Sequence, residues 1–280
     1  MRAGGHDRAR PRRRLPRAVR RPAAPLVALL SDFGTRDWYA AAMKAVILAR
    51  CPAAQLLDIT HDVPPQDIVA GALALAGAAS WCPDGTIFVG VVDPGVGTVR
   101  PLVAVETQRH RFLGPDNGLL APAAEADGVR RIVRLTNPRY WLPRVARTFH
   151  GRDILAPVAA YLASGGALGR LGPRADAMEP LALPRTSVRG RRALGMVVHV
   201  DRFGNAITNL AGGDRAAQVR VGRREARWVR SYASGRPGEL IALTGSLGMI
   251  ELSEQGGSAA DRFGIRRGVP VEVEWAREGS

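Results

Sequence analysis

The chain has 280 residues, 46% hydrophobic and 23% charged, which suits one large or two modest soluble domains with a good core. Its net charge of +15 suggests nucleic acid, but residues 1–22, with nine Arg and one Asp, carry +8 of it and leave +7 for the remainder. No recognition motif accompanies the charge, aromatics are only 5%, and no apolar run approaches the roughly 18 residues that span a bilayer, so nucleic-acid and membrane partners are set aside.

The head, residues 1–22, is aperiodic and rich in Arg and Pro, and is expected to be disordered. The apolar run Ala23–Leu30 carries no small-residue cleavage site and flows straight into a polar motif, so it reads as a first core strand rather than a targeting signal. A soluble, cytoplasmic protein is expected. Cys51 and Cys82 are far apart and belong to no CxxC pair, which argues against a zinc knuckle and predicts buried or loop thiols.

From Pro25 to about Gly172, strand-like runs alternate with Ala-rich helical runs. The strands are predicted at Leu26–Leu30, Gln55–Ile59, Ile87–Val92, Leu102–Glu106 and Arg131–Leu135, and the helices at Tyr39–Arg50, Ile68–Trp81 and Asp153–Ser164. This alternation predicts an α/β domain over residues 23–175 with a mostly parallel sheet. Residues 176–192 lose all periodicity and read as a linker. Beyond them, short strands at Ala193–Val200, Ala226–Val229, Leu240–Leu243, Met249–Leu252 and Val269–Trp275, separated by Gly-rich turns, predict a small all-β, barrel-like domain over residues 193–280.

The polar motifs sit just after strands, where open α/β sheets place their ligands. Asp32, in Ser31-Asp32-Phe33-Gly34-Thr35, is placed either to hold a ribose diol or, with Asp37, to cap the following helix. Asp93 leads a Pro94-Gly95-Val96-Gly97 turn with Arg100 seven residues on, a pairing that favours a site over a surface ion pair. Asn117, in Pro115-Asp116-Asn117-Gly118, is by itself a tight-turn signal. His150 opens the run His150-Gly151-Arg152-Asp153 ahead of a helix. An acid, a guanidinium and an imidazole brought together can hold and activate a water molecule. In the barrel region, Asp201-Arg202-Phe203-Gly204-Asn205 offers hydrogen bonds and an exposed ring to a purine, or is a simple β-turn. Tyr232 is either a second aromatic wall or packing. Neither GxGxxG nor GxxxxGK[ST] occurs.

Together these blocks resemble the S-adenosylmethionine hydroxide adenosyltransferases, relatives of the fluorinase and chlorinase halogenating enzymes. The resemblance runs from about Leu26 to Glu274. It is carried by SDFGTRDWYAAAMKAVIL (Ser31–Leu48), DITHDVPPQDI (Asp58–Ile68), VVDPGVGTVR (Val91–Arg100) and GPDNGLL (Gly114–Leu120). TFHGRDILAPVAA (Thr148–Ala160), VDRFGNAITN (Val200–Asn209) and GSLGMIEL (Gly245–Leu252) complete it. It implies an N-terminal α/β domain, a C-terminal β-barrel and a homotrimer with sites between subunits. It also implies hydrolysis of S-adenosylmethionine, the substrate, to adenosine and L-methionine, with no cofactor and no metal.

On the same resemblance, Asp93, Arg100 and His150 match the water-activating set, Asp32 the ribose carboxylate and Asp37 the group near the methionine ammonium. Phe203, Asn205 and Tyr232 match adenine contacts, Asp201 and Ser246 fall at the methionyl portion, and Asn117 joins the substrate-binding positions. Gln255 stands where the family more often has Asn, keeping the amide on a longer arm. Arg100 is expected to lower the pKa of a bound water while Asp93 or His150 takes its proton, the choice between them being open.

Three other readings stand beside this one. In the halogenating relatives an uncharged aromatic occupies the position of Asp93, and Val96 replaces a halide-binding hydroxyl. A carboxylate there would repel a halide by roughly 4 kcal/mol at about 4 Å and an effective dielectric near 20, so hydrolysis is preferred over halogenation. A metal-dependent phosphoesterase would draw on Asp32, His61, Asp62, Asp93 and Asp116. A non-catalytic adenosine sensor would keep Asp32, Phe203 and Asn205 without needing Asp93, Arg100 and His150 together.

Overall fold

A computed structural model describes residues 24–213 and 216–276. The Arg-rich head predicted over residues 1–22 lies outside the described residues. Four strands, β1 (Leu26–Ser31), β2 (Gln55–Thr60), β3 (Ile87–Val91) and, out of chain order, the fifth strand β5 (Arg111–Pro115), form a parallel block. β4 (Leu102–Glu106), β6 (Arg131–Arg134) and β7 (Arg174–Ala175) extend it antiparallel, giving the order β2-β1-β3-β5-β4-β6-β7.

The two-residue period of the strands sorts their side chains between two cores. Val27 and Leu29 of β1 face one way, with Val89 and Val91, onto α1 (Tyr39–Arg50) and, later in the chain, α4 (Ala156–Ala163). Ala28, Leu30 and Phe88 face the other way onto α2 (Ile68–Ala79) and α3 (Ala121–Ala126). Apolar residues on both faces are what a doubly covered sheet requires. Cys51 and Cys82 are both buried free thiols.

The second domain opens with β8 (Ser187–Arg189), β9 (Arg192–Val200) and β10 (Ala206–Ala211). It continues with β11 (Ala216–Val221), β12 (Arg224–Trp228), β13 (Leu240–Thr244), β14 (Met249–Glu254), α5 (Ala259–Phe263) and β15 (Pro270–Trp275). Seven of its strands close a barrel in the order β10-β14-β13-β12-β11-β15-β9, with β9 pairing back to β10 and β8 outside. Closure removes the free sheet edges that a flat array of these short strands would expose.

The barrel docks on α2. Val69 and Leu73 pack with Val198, Leu247 and Met249, and Arg267 pairs with Asp67 at 3.1 Å. In the stretch read as a linker, residues 176–186 carry no helix or strand, but Met178 and Leu181 lie against the sheet's second core and Glu179 N–H donates to Asp116 at 2.7 Å. β8 and the first residue of β9 fall inside the same stretch. No described helix is long and apolar enough to cross a membrane.

Candidate active site

β1 and β3 are neighbours in the parallel block, so their carboxyl ends deliver Asp32 and Asp93 to the same edge of the sheet. There a cavity of about 260 Å³ is lined by Asp32, Gln66, Asp93, Val96, Phe149 and His150 among others. The turn after Asp93 is held by Val96 N–H to the Asp93 carbonyl (3.2 Å) and Thr98 N–H to the Gly95 carbonyl (3.1 Å). Gly97 sits at φ +80°, and a Cβ there would meet the Arg147 carbonyl at 2.6 Å. Only glycine lets this turn lie so close to the segment carrying His150. Asn117 braces the same strand end, its amide donating to the Val92 carbonyl at 2.9 Å while its oxygen accepts from Leu119 N–H at 3.2 Å.

Asp93, Arg100 and His150 are brought together in one chain. Arg100 Nε donates to both Asp93 oxygens (2.9 and 3.0 Å) and one Nη to Oδ2 at 2.5 Å. The same Nη lies 3.0 Å from His150 Nδ1. Both members of the ion pair are largely sequestered, with side-chain exposures of 13% and 7%. Burial, and then the Arg100 charge, push the His150 imidazole below its ordinary 6.5. A guanidinium can only donate, so Nδ1 accepts from Arg100 and the proton of the neutral ring sits on Nε2.

His150 lies at the start of a single π-helical turn, Gly151–Leu155, that precedes α4. The predicted helix therefore begins regularly at Ala156 rather than Asp153. Asp153 is fully buried, accepting from Ala146 N–H (2.8 Å) and from Arg152 (2.6 and 2.9 Å), and so closes the segment that presents His150. Its place one turn after the imidazole was the available signal for this role.

Asp32 accepts from Gln66 N–H at 2.8 Å. Gln66, at φ 65°, is the only non-glycine among the described residues in the left-handed region, and it lines the cavity. Backbone strain of this kind concentrates at functional sites. Behind Asp32, Ser31 Oγ lies 2.7 Å from His61 Nδ1, and His61 Nε2 lies 3.1 Å from Asp58, which pairs with Lys44, the only lysine in the chain. The His61 carbonyl also takes Gly34 N–H at 2.7 Å, so this network, buried at Ser31 and His61 and reaching the surface at Asp58 and Lys44, fixes the turn that carries Asp32. Asp37 is exposed and does not line the cavity; nor does it cap α1, whose cap position is Trp38.

The barrel carries a second, larger cavity of about 710 Å³, lined by Asp201, Phe203, Asn205, Tyr232 and Ser246. Asp201 Oδ1 accepts from Phe203 and Asn205 N–H (both 2.9 Å) and Oδ2 from the Asn205 amide (3.0 Å), which shapes the turn and leaves Phe203 75% exposed. Gln255 is half-buried beside this cavity but does not line it; Glu254, Gly256 and Gly257 do. Glu251 and Glu254, both buried, also line it and were not singled out from sequence, where Glu251 reads as the charged position of a strand. The two cavities share no lining residue. Of the phosphoesterase set, Asp32 and Asp93 share a cavity, but among the described residues no three His, Cys, Asp or Glu are grouped to hold a metal ion.

With this geometry in place, comparison with known proteins gives a consistent result. Residues 27–172 match the SAM hydroxide adenosyltransferase N-terminal domain and residues 195–272 the C-terminal domain of the same family. An (R)-S-adenosyl-L-methionine hydrolase from Thermus thermophilus is 40% identical, covering 88% of this chain and 98% of its own length. A fluorinase from Actinoplanes sp. is 26% identical, with 89% and 97% covered. Among solved structures, an uncharacterised conserved protein from Thermotoga maritima superposes with a TM-score of 0.80 at 34% identity, with 88% and 99% covered.

Proposed function

The chain belongs to the SAM hydroxide adenosyltransferase family, and we propose that it hydrolyses S-adenosyl-L-methionine to adenosine and L-methionine. The greater similarity to hydrolases than to fluorinases points the same way, and a carboxylate at Asp93 suits water better than a halide. The observation that carries the reading is the contact set Asp93–Arg100–His150 at the edge of a cavity that also contains Asp32. A sensor of adenosine would have no use for it.

In this mechanism the water oxygen attacks C5′ opposite sulfur, the C5′–S bond breaks, and the bonding pair leaves with methionine as a neutral thioether. Arg100 holds Asp93 and His150 in fixed relation, so the attacking oxygen is oriented before reaction. His150, neutral and protonated on Nε2, donates a hydrogen bond towards that oxygen. Asp93 takes the proton: once the oxygen is alkylated it becomes far more acidic than a carboxylic acid, so a carboxylate can accept from it. Asp32 holds the ribose diol, and Phe203, Asn205 and Tyr232 hold the adenine, with Asp37, Ser246 and Gln255 assigned to the remaining substrate contacts and Asn117 and Asp201 to shaping the substrate-binding loops. The division at residues 23–175, 176–192 and 193–280 and a cytoplasmic location belong to the same reading.

The family resemblance implies a homotrimer, and catalytic and nucleoside-binding residues lining separate cavities within one chain fit a complete site assembled between its subunits. Asp93→Asn and Asn205→Ala homomers should each be inactive. Co-expressed, they should regain activity, with about one intact site per mixed trimer. Failure of mixed oligomers to regain adenosine release would remove the shared-site arrangement. The relatives' names specify the (R) sulfonium epimer, and this epimer is the proposed substrate; metal-free turnover of each epimer, followed by mass detection of adenosine and methionine, tests it. Equal inertness of both epimers would overturn the function.

The protonation state of His150 predicts the pH profile. Its depressed pKa keeps the ring neutral above 6.5, and activity is lost as pH falls through the folded value, where a proton on Nδ1 would face the Arg100 N–H. The acid limb of kcat/KM, which reports the free enzyme, should therefore lie below pH 6.5 and be absent from the residual activity of His150→Gln. An acid limb above that value, or one unchanged in His150→Gln, would refute the assignment.

A further inference from the structure

We propose that Tyr232 and Glu251 together form an acceptor-only edge of the barrel cavity that selects a nucleobase with an exocyclic amine over its 6-oxo counterpart. The inference rests on the reading of this cavity as the nucleoside site. Glu251 is 93% removed from solvent by the measure of its 7% exposure, yet it pairs with no Arg, Lys or His among the described residues. Its Oε1 accepts from Tyr232 Oη at 2.5 Å and from Ser253 Oγ at 3.0 Å. No described donor reaches Oε2, and both residues line the cavity. Oε2 is not enclosed by protein and opens on the cavity, where an arriving N–H can donate to it.

The hydrogen-bond sense decides which bases fit. The tyrosine hydroxyl has one proton, and it is committed to Oε1; what remains on its oxygen is lone pairs. Burial and the Glu251 carboxylate raise the Tyr232 pKa, so the hydroxyl keeps that proton rather than ionising. A 6-amino purine brings two N–H groups, enough for the tyrosine oxygen and Glu251 Oε2 together. A 6-oxo purine brings a carbonyl oxygen, which would face lone pairs with no donor between them. Sites built around a ligand N–H reject the analogue lacking it far more strongly than they reject a change of size. Tyr232 is 45% exposed and Phe203 75%, so the ring faces stay available for the base while this edge sets its identity.

Calorimetric binding of adenosine and inosine to the intact protein tests this. The wild type should prefer adenosine by at least about tenfold. In Glu251→Gln the amide can donate to the tyrosine oxygen and turn its proton towards the ligand, so the preference should fall by a similar factor. Tyr232→Phe, a surface-accessible change that keeps the ring, should weaken adenosine several-fold and leave inosine no weaker or slightly tighter, since one set of opposing lone pairs is gone. Wild-type binding without preference, or an unaltered ratio in Glu251→Gln, would overturn the proposal. Retained preference in a protein that does not hydrolyse S-adenosylmethionine would sink the proposed reaction and leave the base-selecting edge standing.

Discussion

Asp93→Asn is expected to lower kcat by about 10²–10⁴-fold, with KM for S-adenosylmethionine changed far less. The amide keeps the shape of the carboxylate and can still accept from Arg100 Nε, now 2.9 Å from Oδ1, so the turn after β3 should survive. What it loses is the ability to take a proton from the alkylated oxygen. Substrate contacts lie elsewhere, on Asp32 and in the barrel cavity, so binding is largely spared. A kcat and KM pair from adenosine release checks the split. A change confined to KM would mean that Asp93 binds substrate and that proton transfer belongs to another group.

The second large effect is on stability as well as rate. Arg100→Gln leaves the Asp93 carboxylate, 7% exposed, without its cation, and breaking a sequestered pair from one side costs about 3–5 kcal/mol. The remaining exposure of Arg100 and the adjoining cavity place the expected loss towards the lower end. Activity should fall at least as far as in Asp93→Asn, because His150 loses the donor that sets its tautomer. The double variant Asp93→Asn/Arg100→Gln should recover part of the stability and none of the activity, since no unpaired charge remains but neither does the base. Denaturant unfolding of the four proteins reads the coupling. Strict additivity would show that the pair contributes nothing beyond its separate members.

Much of this arrangement was legible in the residues because local chemistry and global position agree. β1, β2, β3, β4 and α1 follow from period and length, and Asp32 and Asp93 then fall at one sheet edge by the pairing of β1 with β3. β5, Arg-Phe-Leu-Gly-Pro, was not read as a strand because its Gly and Pro are turn signals. Only its pairing with β3 and β4 on both sides overrides them. β10 was hidden by Thr208 and Asn209, whose polar side chains are satisfied across the fold: Thr208 donates to the Ile250 carbonyl and Asn209 to that of Pro184. α3 is six residues with a Pro at its second position, too short for a period to emerge.

The site shows the same division. Asp93, Arg100 and His150 announce themselves by residue type, but Gln66 does not, since a strained φ has no residue signature unless the residue is glycine. Glu251 was equally silent, and Asp153 showed only as a neighbour of His150. Their importance comes from burial and from partners 19 and seven residues away, at Tyr232 and Ala146. The separation of the two cavities is likewise a property of the fold rather than of any motif.

The most direct measurement of the central claim is turnover of S-adenosylmethionine in ¹⁸O-water with mass analysis of both products. The account predicts one ¹⁸O in the adenosine, on the 5′ oxygen, none in the methionine, and product from Asp93→Asn lowered by at least about 10²-fold over the same interval. Label in methionine, unlabelled adenosine, or undiminished product from Asp93→Asn would contradict it.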